Sequence, residues 1–216
     1  MLKILAIGGA IFTLLNSAAH AQNKALIERG DYLVNTVLAC GNCHTPKGPQ
    51  GDIVDKAFAG GLVFDEPPFK VSASNITQDK DTGIGNWTDA QIKAAIRKGV
   101  KPNGVKIAAV MPTGFYEIMT ERDLDAVVAY LRTIKPIQNK LPDPVYKIPV
   151  PRTEVAGGGK PYTEAQANAK ATKGFYLTTV AHCLECHTPL GPKGREMATR
   201  LGAGGFEFPG PWGVSV

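Results

Sequence analysis

The stretch Cys40-Gly41-Asn42-Cys43-His44 places two cysteines three positions apart and a histidine directly after the second cysteine. Residues three and four positions apart share one face of a helical turn, so the two thiols and the imidazole project to the same side. The C-x-x-C-H pattern is typical of covalent haem c attachment, in which both cysteines form thioethers and the histidine binds the iron. The sequence therefore predicts a haem held by Cys40 and Cys43, with His44 as an axial ligand.

A second stretch of the same pattern, Cys183-Leu184-Glu185-Cys186-His187, lies 143 residues further along the chain. By the same argument, Cys183 and Cys186 are predicted to form thioethers, and His187 is predicted to be an axial ligand of the iron. Two covalently bound haem c groups are therefore expected.

Other uses of these cysteines explain the sequence less well. All four cysteines of the chain lie in the two motifs, and His182 is the one histidine outside both the motifs and the N-terminal segment that contains His20. A structural zinc site needs four Cys or His ligands, and each motif offers three. A thioredoxin-like site would need a βαβ pattern, and a disulfide within each motif would leave His44 and His187 without a role.

The N-terminal residues 1–21 have the pattern of a secretory signal peptide. Lys3 precedes the apolar run Ile4–Leu15, and Ala19-His20-Ala21 forms an A-x-A cleavage site. The apolar run is too short to span a bilayer comfortably. Export to the periplasm is therefore predicted, which agrees with the attachment of haem c outside the cytoplasm in bacteria.

The charge of the chain is mildly basic, with a formal net charge of +5. This is too small and too dispersed to predict nucleic-acid binding. Five basic residues do cluster ahead of Met111, and a solvated helix face explains them more simply than a docking rim for an acidic redox partner. They are Lys93, Arg97, Lys98, Lys101 and Lys106.

An internal repeat with an offset of 143 or 144 residues relates the two parts of the chain. The segments Gly30–Leu33, Cys43–Pro49 and Ala59–Gly61 match Gly174–Leu177, Cys186–Pro192 and Ala203–Gly205. The repeat predicts a first domain at 22–138, a Pro- and Gly-rich linker at 139–162 and the N-terminal part of a second domain at 163–216. Because the counterpart of Met111 would fall near position 254, beyond Val216, the second domain is expected to be cut short.

The predicted fold is all-α, with short helices and long loops around the haem. A helix is expected over Ala25–Val37, interrupted by Gly30, and residues 45–86 are expected to form a loop because they are rich in turn formers. Three further helix starts are marked by capping threonines, and Gly99 is expected to end the first of these helices. The threonines are Thr88, Thr120 and Thr163. Met197 is predicted to be an ordinary loop residue.

The second axial ligand of the first haem is predicted to be Met111. A methionine thioether is a common partner of histidine in electron-transfer haems. Met111 lies in a loop between two capped helices and precedes Pro112, whereas Met119 directly precedes the cap at Thr120, where packing is more natural.

These residues resemble class I cytochrome c domains, and more narrowly the multihaem cytochrome c subunits of periplasmic alcohol, aldehyde and related dehydrogenases. The matching segments are Gly30–Leu33, Cys40–Pro46, Ala59–Gly61, Ser74–Thr77, Thr82–Trp87, Met111-Pro112, Asp123–Ala126 and Tyr130–Arg132. The resemblance implies tandem cytochrome c-like domains, ligation of the first iron by His44 and Met111, and a position for Trp87 near the haem.

The function predicted from these features is electron transfer by a periplasmic dihaem cytochrome. The expected donor is a periplasmic dehydrogenase and the expected acceptor belongs to the respiratory chain, with peripheral association with the membrane through a complex. The alternative is a dihaem enzyme, such as a cytochrome c peroxidase or a thiosulfate dehydrogenase. No constellation of catalytic acid, base or nucleophile accompanies the haem motifs, which favours an electron-transfer subunit over an enzyme.

Overall fold

The computed structural model describes residues 22–150, 153–192 and 194–207, so the predicted signal peptide lies outside the described residues. The α-helices of this part are α1 (22–32), α2 (Gly41–His44), α3 (Asp89–Lys98), α4 (Glu121–Leu131), α5 (Glu164–Asn168), α6 (Lys173–Val180) and α7 (Cys183–Cys186). The strands are β1 (Lys47–Gly48), β2 (Gly51–Asp52), β3 (Val63–Glu66), β4 (Phe69–Ser72), β5 (Val145–Tyr146), β6 (Leu190–Gly191) and β7 (Gly194–Arg195). A π-helix covers Leu33–Val37, and short 3-10 helices cover Val54–Lys56 and Phe115–Ile118.

The all-α prediction is wrong, because the described residues also form three small antiparallel sheets, β1-β2, β3-β4-β5 and β6-β7. Much of this structure lies within 45–86, which the sequence predicted to be loop. Strands β3 and β4 are four residues long and are joined by the two-residue turn Pro67-Pro68. Strands this short hold too few alternations to reveal a period of two beside so many turn formers. The fold is therefore mixed.

The core of the first half forms where α1 crosses α4. Gly30 does not interrupt the first helix as expected, and the helical backbone runs through it into the π-helix. A Cβ atom at Gly30 would lie 2.0 Å from the backbone oxygen of Ala126. The glycine therefore permits the close approach of the two helices. Leu33, Val34 and Leu124 are fully buried beside this crossing.

The three predicted helix starts are confirmed. Thr88 and Thr163 each form a capping box with the glutamine three residues later. The hydroxyl of Thr120 accepts a hydrogen bond from the backbone N–H of Asp123 at 3.1 Å. Gly99 ends α3 with a φ of 64°, a left-handed conformation that glycine adopts without a steric penalty.

A buried carboxylate connects the second half of the chain to the first. Asp123, which is 5% exposed, accepts hydrogen bonds from Nε and Nη2 of Arg29, both at 2.8 Å. It also accepts one from the hydroxyl of Tyr176 in α6, at 2.7 Å. Burial and this bond to Asp123 raise the pKa of Tyr176, so the hydroxyl stays a proton donor at neutral pH. Three elements, α1, α4 and α6, are thus held at one point.

Met197 lies in a turn, as predicted, but it is 6% exposed and packs with Phe115 and Val155. These residues form an apolar cluster in which the second half again meets the first. Phe175, Leu184 and Leu201 pack around it.

Replacing Tyr176 by phenylalanine is expected to destabilise the protein by about 1.5–3 kcal/mol, the usual loss for a hydrogen bond to a charged group. Tyr162→Phe is the matched control, because Tyr162 stacks on Tyr176 at 6.1 Å between ring centres but its hydroxyl has no hydrogen-bond partner among the described residues. Chemical denaturation of both variants measures the difference. A loss no larger for Tyr176→Phe than for Tyr162→Phe would contradict the role given to this bond.

Candidate haem-binding site

A cavity of about 1150 Å³ lies beside the first motif. Its walls are mainly apolar and come from α3, α4, the three-stranded sheet and the loop before the 3-10 helix at Phe115–Ile118. Apolar residues that line it include Phe64, Val71, Ile76, Ile84, Ile92, Ile96, Val127 and Leu131. A low-dielectric cavity of this kind can bury the apolar face of a porphyrin and keep water away from it.

The first motif is presented to this cavity by a turn and a short helix. Ala39 has a φ of 48°, and the chain then enters α2, where the backbone N–H of His44 donates to the carbonyl oxygen of Cys40 at 3.0 Å. Cys40, Cys43 and His44 all line the cavity. The structure therefore brings together the three side chains that the motif predicts on one face.

The imidazole of His44 is oriented by a backbone carbonyl group. Its Nδ1 lies 2.7 Å from the carbonyl oxygen of Ser74, just after β4. Because a carbonyl oxygen can only accept, Nδ1 carries the proton and Nε2 keeps a free lone pair for a ligand bond. Burial lowers the pKa of His44 although the bond to Ser74 opposes this, so the ring is neutral at physiological pH. A neutral, oriented imidazole is what iron ligation requires.

The thiols of the first motif are partly buried and are not activated. Burial raises the pKa of Cys40 to about 12, and burial likewise raises the pKa of Cys43. Zinc and other thiolate sites need deprotonated cysteine. The raised pKa values of Cys40 and Cys43 disfavour deprotonation. In the described part of the chain, no group of three or more His, Cys, Asp or Glu side chains is arranged to hold a metal ion. The two thiols fit covalent attachment of haem better than a metal cluster.

Of the two methionines considered as second axial ligand, only Met111 lines the cavity. Met119 is fully buried in the core between the helices. Trp87, expected near the haem from the resemblance, also lines the cavity. These positions support Met111, which remains a proposal as a ligand.

The second motif repeats the backbone geometry of the first. His182 has a φ of 44° at the position equivalent to Ala39. The backbone N–H of Gly204 donates to the carbonyl of His187 at 2.8 Å, as that of Gly60 does to His44 at 2.7 Å. The hairpin β6-β7 follows the second motif as β1-β2 follows the first. Unlike their counterparts, Cys183 and His187 are exposed.

Two cysteines and a neutral histidine beside one apolar cavity would hold a covalently attached haem, and a protein with such a site is a c-type haem protein. A family model described as cytochrome c matches residues 27–135, and the chain belongs to this family. Membership implies covalently bound haem c, and the protein is an electron-transfer cytochrome.

Several curated proteins resemble most of the chain. The fructose dehydrogenase cytochrome subunit of Gluconobacter japonicus is 34% identical over 186 residues, which are 80% of this chain and 36% of that protein. The cytochrome c subunit of the quinone-type alcohol dehydrogenase of Gluconacetobacter polyoxogenes is 32% identical over 214 residues, 92% of this chain and 44% of that protein. A diheme cytochrome c-type protein of Cereibacter sphaeroides is 30% identical over 178 residues, 77% of this chain and 58% of that protein. The chain thus spans less than half the length of the first two.

None of the helices in the described residues is long and apolar enough to cross a membrane.

Proposed function

We propose that this chain is a dihaem c-type cytochrome of the periplasm, which takes electrons from a partner dehydrogenase and passes them towards the respiratory chain. The observation that carries the proposal is the recurrence of one C-x-x-C-H backbone geometry at two places in the chain. The names of the relatives, cytochrome subunits of fructose and alcohol dehydrogenases, support a dehydrogenase as donor. The diheme relative supports a count of two haems.

The domain division predicted from the repeat, 22–138, 139–162 and 163–216, is retained as part of this proposal. Strand β5, within 139–162, pairs with β4 of the three-stranded sheet, so part of this segment packs on the first haem domain. Periplasmic location rests on the signal pattern of residues 1–21, which lie outside the described residues. Association with the membrane would follow from assembly with the dehydrogenase.

The roles of the protein side chains follow from their positions in the cavity. When bound, haem c supplies one-electron exchange between ferrous and ferric iron. Cys40 and Cys43 would fix its position, while the carbonyl group of Ser74 holds His44 in the tautomer that can bind iron. Met111 is proposed as the opposite ligand, and the apolar walls exclude water. Cys183, Cys186 and His187 are proposed to serve the second haem in the same way.

Replacing Met111 by alanine tests the electron-carrier function. We expect the reduced variant to bind carbon monoxide at the first haem, because one axial position of the iron becomes free, whereas Met119→Leu should leave carbon monoxide binding at the wild-type level. The spectrum of the reduced protein with and without carbon monoxide measures this. Fast turnover of peroxide or thiosulfate by the isolated wild-type protein would contradict the carrier function and favour a dihaem enzyme.

A further inference from the structure

One wall of the first haem cavity is built by the second half of the chain. The residues that line it there are His182, Glu185 and Cys186, which lie in or next to the second motif, and Arg195 and Phe206, which follow it in the chain. The cavity that holds Cys40, Cys43 and His44 is therefore closed partly by the segment that carries the other attachment site. Charged side chains of that segment can therefore act electrostatically on a group that is bound in this cavity.

Glu185 is the acidic side chain on this wall. Its side chain is 30% exposed, and its Oε2 lies 3.4 Å from Nδ1 of His182. The carboxylate acts across the boundary on Tyr116 of the first half, which lines the same cavity. Burial raises the pKa of Tyr116, and the negative charge of Glu185 adds to this effect.

Residue 185 of the second motif is acidic, whereas the equivalent residue of the first motif is not. At an offset of 143 residues, its counterpart in the first motif is Asn42, which is neutral and exposed. The C-x-x-C-H pattern thus accepts asparagine at this position in the same chain. The acid is not required by the motif, and both Asn42 and Glu185 line this cavity, so only the second motif places a carboxylate there from this position.

We propose that Glu185 is an electrostatic tuning residue that lowers the redox potential of the haem attached at the first motif. A fixed negative charge stabilises ferric iron, which carries one more positive charge than ferrous iron, and the apolar wall of the cavity weakens the screening between them. Arg195 contributes an opposing charge on the same wall, so removal of the carboxylate also leaves the guanidinium unbalanced. This inference rests on the proposed function only in that the first motif carries a haem.

The test is a potentiometric titration of the full-length holoprotein at one pH, comparing wild type with Glu185→Asn, the residue of the first motif, and with Glu185→Gln. The two midpoint potentials are assigned with the Cys183→Ser/Cys186→Ser variant, which attaches haem at the first motif alone. The same Glu185 changes are then introduced into that variant. Glu164→Gln is the matched control, because Glu164 is exposed and does not line the cavity.

In both backgrounds we expect a higher potential for the first haem. At a fixed electrode potential the ratio of reduced to oxidised iron should rise about threefold to tenfold, which is roughly 30 to 59 mV for a one-electron couple. No shift beyond that of Glu164→Gln, or a shift confined to the second haem, would overturn the inference. A wild-type protein without haem absorbance would instead refute the proposed function, so the two failures are distinguishable before any titration.

Discussion

Replacing Cys40 and Cys43 together by serine is expected to reduce the haem content of the exported protein from two groups per chain to one. Serine keeps the size of the side chain, but its hydroxyl does not form the thioether on which covalent attachment depends. The intact mass of the purified chain should fall by about one haem group, and the haem absorbance per chain should fall by about half. Both quantities are measured after expression with the haem c attachment system.

The matched control is Cys183→Ser with Cys186→Ser, which should remove the other haem and leave the first. Combining all four changes should give a colourless chain whose mass equals that of the polypeptide after signal cleavage. A wild-type chain carrying a single haem, lost on changing Cys40 and Cys43 and kept on changing Cys183 and Cys186, would refute the second site alone. A colourless wild type would refute both.

Gly30→Ala is expected to destabilise the first half by about 3 kcal/mol or more, at the upper end for overpacked cores. The added methyl carbon would lie 2.0 Å from the oxygen of Ala126 and 2.7 Å from Cβ of Tyr130, so α1 and α4 would have to separate. Separation would open the core beside Leu33, Leu124 and Val127, of which the last also lines the haem cavity. Denaturation of the holoprotein measures the loss.

The repeat supplies a matched control for this change. Gly174 occupies the equivalent place in α6, yet a Cβ atom there would meet no atom within 4 Å. Gly174→Ala should therefore stabilise the helix slightly, by about 0.5–1 kcal/mol, because alanine loses less backbone entropy than glycine on folding. Equal effects at positions 30 and 174 would show that helix propensity, and not the close approach at Ala126, governs Gly30.

The parts of the fold that were predictable from sequence depend on local interactions. Thr88, Thr120 and Thr163 cap helices through bonds to residues three positions away, so the pattern that identifies them lies within one turn. The short strands were not predictable in this way. Strand β5 has two residues, and only its pairing with β4, some 75 residues earlier in the chain, makes it a strand.

The candidate site likewise has parts that the local sequence predicts and parts that depend on residues distant in the chain. The motif residues are consecutive, so their common face could be predicted, and a place for Met111 beside the cavity follows from its loop between two helices. The partner of His44 could not be predicted, because it is a backbone carbonyl 30 residues away, and any residue could supply it. Nor could the contribution of Glu185 to the first cavity be predicted, since it depends on how the two halves pack.

The tyrosines of the repeated Gly-x-Tyr-Leu segments have acquired different tasks. Tyr32 is 47% exposed, and the guanidinium carbon of Arg29 lies 5.5 Å from its ring centre. Its counterpart Tyr176 is 2% exposed and bonds to Asp123, the same carboxylate that holds Arg29. The same residue type is thus an exposed side chain in the first copy and, in the second, a buried hydroxyl that joins α6 to α4. The bond between the two halves therefore depends on the burial of one copy of the segment against Asp123, and not on the Gly-x-Tyr-Leu pattern itself.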